Sequence, residues 1–365
     1  MTAVSSHPGT APRVWLVIGD KLGDNAQVEV VAEALGWPVE RRNLRFRQRY
    51  IYGKPRFRPS LYHIDERNSD ALEPPWPDLV LTIGRRPSMA ALWIKRQSGG
   101  RTKLVIIGRP KKYIDEFDLV IGTPQYRLPQ RDNIVNMDLP LMRADSQRLE
   151  SEGEDWRDVM ETLPRPITAV LVGGQTRPFR FDTAAAEDLL HRVTQTPGTA
   201  EGTLYITTSR RTPEKVVRML ESSLPGNARF FRWESGRSDN PYYGLLAWAD
   251  RFVVTGDSIS MMVEVARLGR PLAIYPLPYR RSPVVTFYER MTGLLHGNTS
   301  WRWLGEFLSD HGLIGYPRRL TDLHDRLVTQ GRAVILGAPF IAPPSLVDRD
   351  LEQAAHAIRG LFTET

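Results

Sequence analysis

Short, mostly apolar runs recur along this chain, each followed by a turn and a helix-length segment. Val14-Trp15-Leu16-Val17-Ile18 is the first, and Leu79 to Ile83, Leu104 to Ile107, Leu119 to Ile121 and Ile134 to Met137 follow. A strand that is apolar on both faces has to be covered on both faces, and parallel strands linked by helices meet that requirement. Helices are expected at Gln27 to Leu35, closed by Gly36 and Pro38, and at Ser88 to Arg96. Gly19, Gly23 and Asn25 read as the turn before the first of them.

The pattern then restarts. Glu150 to Asp158 is acidic and polar, and Pro164-Arg165-Pro166 follows as the best candidate for a domain boundary. Beyond it, strands are expected at Ala169 to Val172, Leu204 to Thr207, Phe230 to Trp233, Phe252 to Val254 and Leu272 to Tyr275. Helices are expected at Thr183 to Thr194, Pro213 to Leu224, Tyr242 to Trp248 and Ser258 to Leu268. The fold class is therefore α/β, with two Rossmann-like parallel-sheet lobes around a cleft. The expected division is a loose tail over 1–13, a first lobe over 14–163, a second over 164–344, and a last segment over 345–365. Its helix, Leu346 to Phe362, returns to the first lobe.

The chain has 365 residues, enough for two ordinary domains, and 41% of them are hydrophobic, enough for two cores. It has no cysteine, which excludes disulfides, thiolate metal sites and a cysteine nucleophile. No stretch approaches the ~20 apolar residues of a membrane span, so a cytoplasmic protein is expected, with peripheral attachment to a membrane left open. Net charge is +7. Much of the excess stands in one stripe of Arg41, Arg42, Arg45, Arg47, Arg49, Lys54, Arg56 and Arg58, interleaved with Phe46, Tyr50, Tyr52 and Phe57. The stripe reads as a solvated loop or as a site for anionic lipid headgroups or a phosphorylated acceptor. No nucleic-acid-binding motif accompanies it.

The chemistry concentrates in the second lobe. Val253-Val254-Thr255-Gly256-Asp257-Ser258-Ile259-Ser260-Met261 runs from an apolar strand through a glycine turn into a helix start. Backbone N–H groups at such a start are unpaired and lie at the positive end of the helix dipole, which suits a phosphate or diphosphate. Ser258 and Ser260 offer hydroxyl donors. Glu264, six residues after Ser258, could accept both hydroxyls of a ribose. The plainer alternatives are that Asp257 and Ser258 cap the helix and that Glu264 lies on a solvated face.

Two further turns share this strand-to-helix position. Gly173-Gly174-Gln175-Thr176 is phosphate-sized but is neither a dinucleotide fingerprint nor a P-loop. Thr207-Thr208-Ser209-Arg210-Arg211-Thr212-Pro213 adds hydroxyls and two guanidinium groups able to neutralise a diphosphate leaving group, or else only a Thr212 cap with solvated arginines. All three would emerge at the carboxyl edge of a parallel sheet, where open α/β folds bind ligands. In the first lobe, Gly19-Asp20-Lys21-Leu22-Gly23-Asp24-Asn25-Ala26-Gln27 holds the matching position, and Asp20 or Asp24 could take a proton from an acceptor hydroxyl. The chain's 7 histidines lack metal-ligand spacing, and Asp348 and Asp350 read as a helix start rather than a metal pair, so no metal is expected.

From Thr255-Gly256-Asp257-Ser258 through Glu264 to Gly269-Arg270-Pro271 the chain resembles the nucleotide-sugar lobe of GT-B glycosyltransferases. The likeness is to the enzyme that adds N-acetylglucosamine to the lipid-linked peptidoglycan precursor. More specifically, Gly173-Gly174, Thr208 through Pro213, Asn240-Pro241-Tyr242, Ala249-Asp250 and Thr255 through Met261 resemble the mitochondrial-fission (elongated-mitochondria) family. The resemblance implies a GT-B glycosyltransferase using a uridine diphosphate sugar without an obligatory metal or other cofactor. It implies donor contacts at Gly173, Gly174, Gln175, Thr176, Ser209, Arg210, Arg211, Thr212, Asn240, Tyr242, Gly256, Asp257, Ser258, Ser260, Met261 and Glu264. The acceptor would lie beside Gly19, Gly23 and Gln27, with Asp20 or Asp24 as base. Where the family often has a histidine after the glycine, this chain has Asp24. A catalytically silent scaffold that recruits a protein partner is the other function the family implies.

Overall fold

The computed structural model describes residues 11–48, 58–110, 112–142, 145–280, 287, 290–295, 300–311, 313–314, 319–345 and 349–363. The chain divides into two units. The first takes Met1–Leu141, Phe287–Arg318 and Asp348–Thr365, and the second takes Met142–Thr286 and Arg319–Val347.

In the first unit, β1 (Val14–Ile18) leads through α1 (Leu22–Leu35) to β2 (Val39–Asn43). Then come β3 (Leu79–Ile83), α2 (Pro87–Gln97), β4 (Lys103–Ile107), β5 (Leu119–Gly122) and β6 (Ile134–Asn136). All pair in parallel, in the order β2-β1-β3-β4-β5-β6. Alternate residues of β1 divide between two cores. Val14, Leu16 and Ile18 pack with Val28 and Val31 of α1 on one face, while Trp15 and Val17 pack with the α2 side on the other. That division is why the run had to be apolar throughout.

Two readings need correcting here. Gly23 and Asn25 lie inside α1, not in a turn: the Lys21 carbonyl already accepts from the N–H groups of Asp24 and Asn25, at 3.1 and 3.0 Å. The stripe is also not simply a loop, since Arg41 and Arg42 stand in the edge strand β2. Arg41 pairs with Glu29 at 3.2 Å, Arg42 with Glu40 at 2.6 Å, and Arg47 with Glu66 at 3.9 Å. The stripe's residues 49–57 lie outside the described residues.

The last helix, Asp350–Gly360, packs Ala354, Ala355 and Ile358 into the same core as Val28 and Val31. Its Asp350 carboxylate accepts the N–H groups of Asp138 and Leu139, both at 2.9 Å, which gives this acid a structural partner. Residues 346–348, expected to begin the helix, lie outside the described residues.

The second unit opens with α3 (Ser146–Asp155) and α4 (Arg157–Glu161). It then runs β7 (Ile167–Leu171), α5 (Thr183–Gln195), β8 (Thr203–Thr207), α6 (Glu214–Ser222), β9 (Ala228–Phe231), α7 (Tyr242–Trp248), β10 (Arg251–Thr255), α8 (Ile259–Arg267) and β11 (Leu272–Tyr275). A two-residue β12 (Val334–Ile335) completes a parallel sheet of order β12-β11-β10-β7-β8-β9. The acidic α3 packs on α7, where Trp248 Nε1 donates to the Gly153 carbonyl at 2.7 Å. Pro213 serves as the N-cap of α6 rather than lying within its first turn.

Each sheet has one place where the strand order reverses: between β1 and β3 in the first, and between β7 and β10 in the second. Ligands of open α/β sheets bind beyond the carboxyl ends of the strands at this switch point. The second unit's Gly173 and Thr255 turns therefore flank its switch point.

Candidate functional site

Leu171 of β7 lies opposite Val254 of β10, so the two turns leave the sheet side by side. The Gly173 N–H donates to Thr255 Oγ1 and the Gly174 N–H to Asp257 Oδ2, each at 2.8 Å. Thr255 Oγ1 in turn donates to Asp257 Oδ1 at 2.8 Å. Both glycine N–H groups thus have internal partners, and they tie the two turns together. The approach demands glycine at both places. A Cβ on Gly173 would collide with Ser258 Oγ and lie 2.5 Å from Asp257 Oδ1, and one on Gly174 would strike the backbone of Arg211.

The third turn locks onto the first. Thr212 Oγ1 donates to the Gly173 carbonyl at 2.5 Å and accepts from the Ser209 N–H at 2.8 Å. Ser209 Oγ lies 3.1 Å from the same hydroxyl. Thr212 is therefore a strut between turns rather than a helix cap. Arg211 donates to Thr176 Oγ1 at 2.8 Å, lies 4.0 Å from Asp257 Oδ2, and keeps its guanidinium half exposed. Gln175 and Arg210 stand exposed beside it. Burial pushes the Asp257 carboxyl up from its ordinary value, opposed by the Gly174 N–H, the Thr255 hydroxyl and Arg211.

At the start of α8 the capping alternative fails. Ser258 occupies the N-cap position but makes no side-chain cap bond. Its Oγ is buried without a hydrogen-bond partner, although the residue is only 2% exposed. The N–H groups of Ile259, Ser260 and Met261 find no backbone acceptor among the described residues. A buried hydroxyl without a partner is uncommon and needs a reason. Here it stands where the helix leaves its own donors open.

Glu264 projects from α8 about 9 Å further along the axis, six residues at ~1.5 Å each. Its Oε2 accepts from the hydroxyl of Tyr242 at 2.5 Å, and Asn240 Oδ1 accepts from the Tyr242 N–H at 3.1 Å. Glu264 is partly buried, which pushes its carboxyl up while the Tyr242 bond opposes the rise. The solvated-face alternative for Glu264 does not hold.

His324 was not singled out by sequence. It belongs to the helix Thr321–Thr329 and is 4% exposed, and its Nε2 lies 2.7 Å from the Gly256 carbonyl. The ring stacks on Phe179 and would lie 2.7 Å from a Cβ on Gly256. Its place in the Leu320, Leu323, His324, Leu327 spacing was the available signal, since that spacing marks the buried face.

In the first unit, Asn25 Nδ2 donates to the Gly19 carbonyl at 2.9 Å, Gln27 is buried in α1, and Gly23 is exposed. Asp24 pairs with Lys21 at 3.6 Å. Its Oδ2 also lies 3.9 Å from where a Cβ of Gly84 would stand. Among the described residues no three histidine, aspartate or glutamate side chains converge on a metal-sized point, and no helix is long and apolar enough to cross a membrane.

Two parallel sheets of this order, with a polar switch point, define the GT-B class of fold. The chain superposes on the UDP-GlcNAc 2-epimerase of Methanocaldococcus jannaschii with a TM-score of 0.50 and 9% identity, covering 96% of this chain and 99% of that one. The chain belongs to the family described as Mitochondrial fission ELM1, whose model matches residues 23–295. It is similar to the mitochondrial fission protein ELM1 of Arabidopsis thaliana, 27% identical in an alignment 280 positions long that covers 70% of this chain and 65% of the plant protein. It therefore spans less than two thirds of that relative's length. It is also similar to the uncharacterized protein RP120 of Rickettsia prowazekii (strain Madrid E), 24% identical in an alignment 308 positions long that covers 73% of this chain and 83% of that protein.

Proposed function

We propose that the second unit binds a nucleoside diphosphate sugar, of the uridine type, and that the chain transfers the sugar to an acceptor hydroxyl. The observation that carries this reading is the start of α8, where the buried, partnerless Ser258 hydroxyl stands with the open N–H groups of Ile259, Ser260 and Met261. These donors, with Ser260, take the diphosphate, and Arg210 and Arg211 add positive charge as it leaves. Gly173, Gly174, Thr212 and Asp257 hold the turns in register. Glu264, oriented by Tyr242, takes the ribose hydroxyls.

In the transfer step the acceptor oxygen attacks the anomeric carbon and the bond from that carbon to the diphosphate oxygen breaks. The acceptor proton passes to Asp20 or Asp24, and the nucleoside diphosphate departs with inversion. The acceptor is membrane-associated in this reading, with the Arg41–Arg58 stripe facing anionic lipid at the inner face of a membrane. Membership of a family described by mitochondrial fission favours a second reading, a silent scaffold that recruits a protein partner.

Nucleotide release from a panel of nucleotide sugars separates the two. The transferase reading expects slow donor hydrolysis by the wild type. It also expects a loss of roughly 10²–10⁴-fold in either Asp20→Asn or Asp24→Asn, with donor affinity nearly unchanged. A wild type that neither binds nor cleaves any nucleotide sugar at millimolar concentration leaves the scaffold.

A further inference from the structure

Among the described residues, most of the exposed large apolar side chains fall between Phe287 and Leu313, within the first unit. They include Met291, Leu294, Trp301, Trp303 and Phe307. The helix Arg302–Asp310 carries its polarity reversed. Its buried residues are Gly305 and Ser309, whereas Trp303 is 66% exposed and Phe307 50%. With ~3.6 residues per turn, Gly305 and Ser309 share one face and Trp303 and Phe307 the opposite one. On the buried face the fit is close, since a Cβ on Gly305 would fall 2.8 Å from the Leu295 carbonyl oxygen. The small side chains let the helix lie down on that side, and the aromatic rings point away from it.

The charges of this segment are sorted as well. Its acids, Glu306 and Asp310, are half-buried and lie 3.7 and 2.8 Å from Arg131, which also pairs with Asp115 at 2.6 Å. Glu306 holds Arg302 too, at 3.0 Å. Arg290 and Arg302 are exposed, and no described acid between 287 and 318 is. What the segment offers outward is therefore aromatic and cationic. A helix that faces water carries the opposite pattern, and a contiguous exposed apolar patch marks an interaction surface. Tryptophan and phenylalanine beside arginine match the boundary of an anionic bilayer, where rings enter the headgroup region and cations meet lipid phosphates. A second copy of the chain would instead set one cationic face against another.

From this geometry we infer that the helix Arg302–Asp310 is a membrane-docking element that lays Trp303 and Phe307 into the interface of an anionic bilayer, with Arg290 and Arg302 against the headgroups. Trp301, Met291 and Leu294 widen the apolar contact. The element deepens the membrane-associated acceptor proposed above and serves it only if that reading holds, whereas lipid binding by the helix is measured without turnover. It also differs in kind from the Arg41–Arg58 stripe. Attraction of exposed arginines to lipid fades with salt, while burial of aromatic surface does not.

Flotation of the full chain with vesicles of phosphatidylcholine, alone or mixed with phosphatidylglycerol, tests the element. Wild type should bind the mixed vesicles more tightly than the neutral ones. Part of that binding should persist at ~1 M salt, where the screening length is ~3 Å. Trp303→Ser and Phe307→Ser, both at exposed positions, should each weaken binding about tenfold at either salt, with urea unfolding and UDP affinity unchanged. Arg45→Ser combined with Arg47→Ser should weaken it at low salt only. Vesicle affinity equal to wild type in both aromatic variants would overturn the inference, and so would a wild type that ignores anionic vesicles at low salt. A wild-type dimer that both aromatic variants dissolve, with lipid binding intact, would assign the face to a second copy instead. Failure of the donor reading would show separately, as a wild type that binds vesicles but not UDP.

Discussion

The Tyr242 hydroxyl donates to Glu264 Oε2, joining the start of α7 to the middle of α8. Burial raises the Glu264 carboxyl and this bond lowers it. A ribose is held best by the ionised form, so affinity for UDP should fall as pH drops through the Glu264 titration. Tyr242→Phe removes the opposing bond, so the fall should begin at a higher pH. Comparing the two proteins by calorimetry across acidic pH cancels the titration of the ligand itself, and superimposable profiles would separate Tyr242 from the site.

The glycine turns give a prediction on stability. Gly173→Ala places a methyl group against Ser258 Oγ and Asp257, and Gly256→Ala places one against His324. Each should cost about 1–3 kcal/mol of unfolding free energy, the range for overpacking. Gly23 has nothing within 4 Å of its missing Cβ and lies in α1, so Gly23→Ala should instead be neutral or gain about 0.5–1 kcal/mol. Urea unfolding decides between these outcomes, and a Gly173→Ala protein as stable as wild type would contradict the packing of the turns.

His324 makes stability depend on pH. Burial lowers its pKa below the ordinary 6.5. The contribution of a lowered histidine is complete above the ordinary value and is lost as pH falls through the folded one. Asp257 and Glu264, raised by burial, work in the opposite sense, and theirs is lost as pH rises. His324→Gln keeps a donor for the Gly256 carbonyl but cannot titrate. Its unfolding free energy should therefore decline less steeply than that of wild type below about pH 6.5. Parallel curves would mean that His324 does not stay neutral in the fold.

The strands were legible because burial on both faces leaves a chemical mark. Val14-Trp15-Leu16-Val17-Ile18 had no other use for five apolar residues in sequence. Strand β2 left no such mark, since Val39-Glu40-Arg41-Arg42-Asn43 pairs on one side only and its charges blunt a sheet edge. Ser258 and Glu264 could be placed on one helix from spacing alone. That the Gly173 and Gly174 N–H groups turn inward to Thr255 and Asp257 could not, because those partners stand more than 80 positions away.

The central claim is that the start of α8 and Glu264 hold a nucleoside diphosphate. Calorimetric titration of UDP into wild type and Glu264→Ala tests it directly. The account predicts that the wild type binds and that Glu264→Ala loses roughly 1.5–3 kcal/mol, the range for hydrogen bonds to a charged group, while folding normally. Equal affinity in the two proteins would remove Glu264 from the site, and a wild type that does not bind UDP would contradict the claim itself.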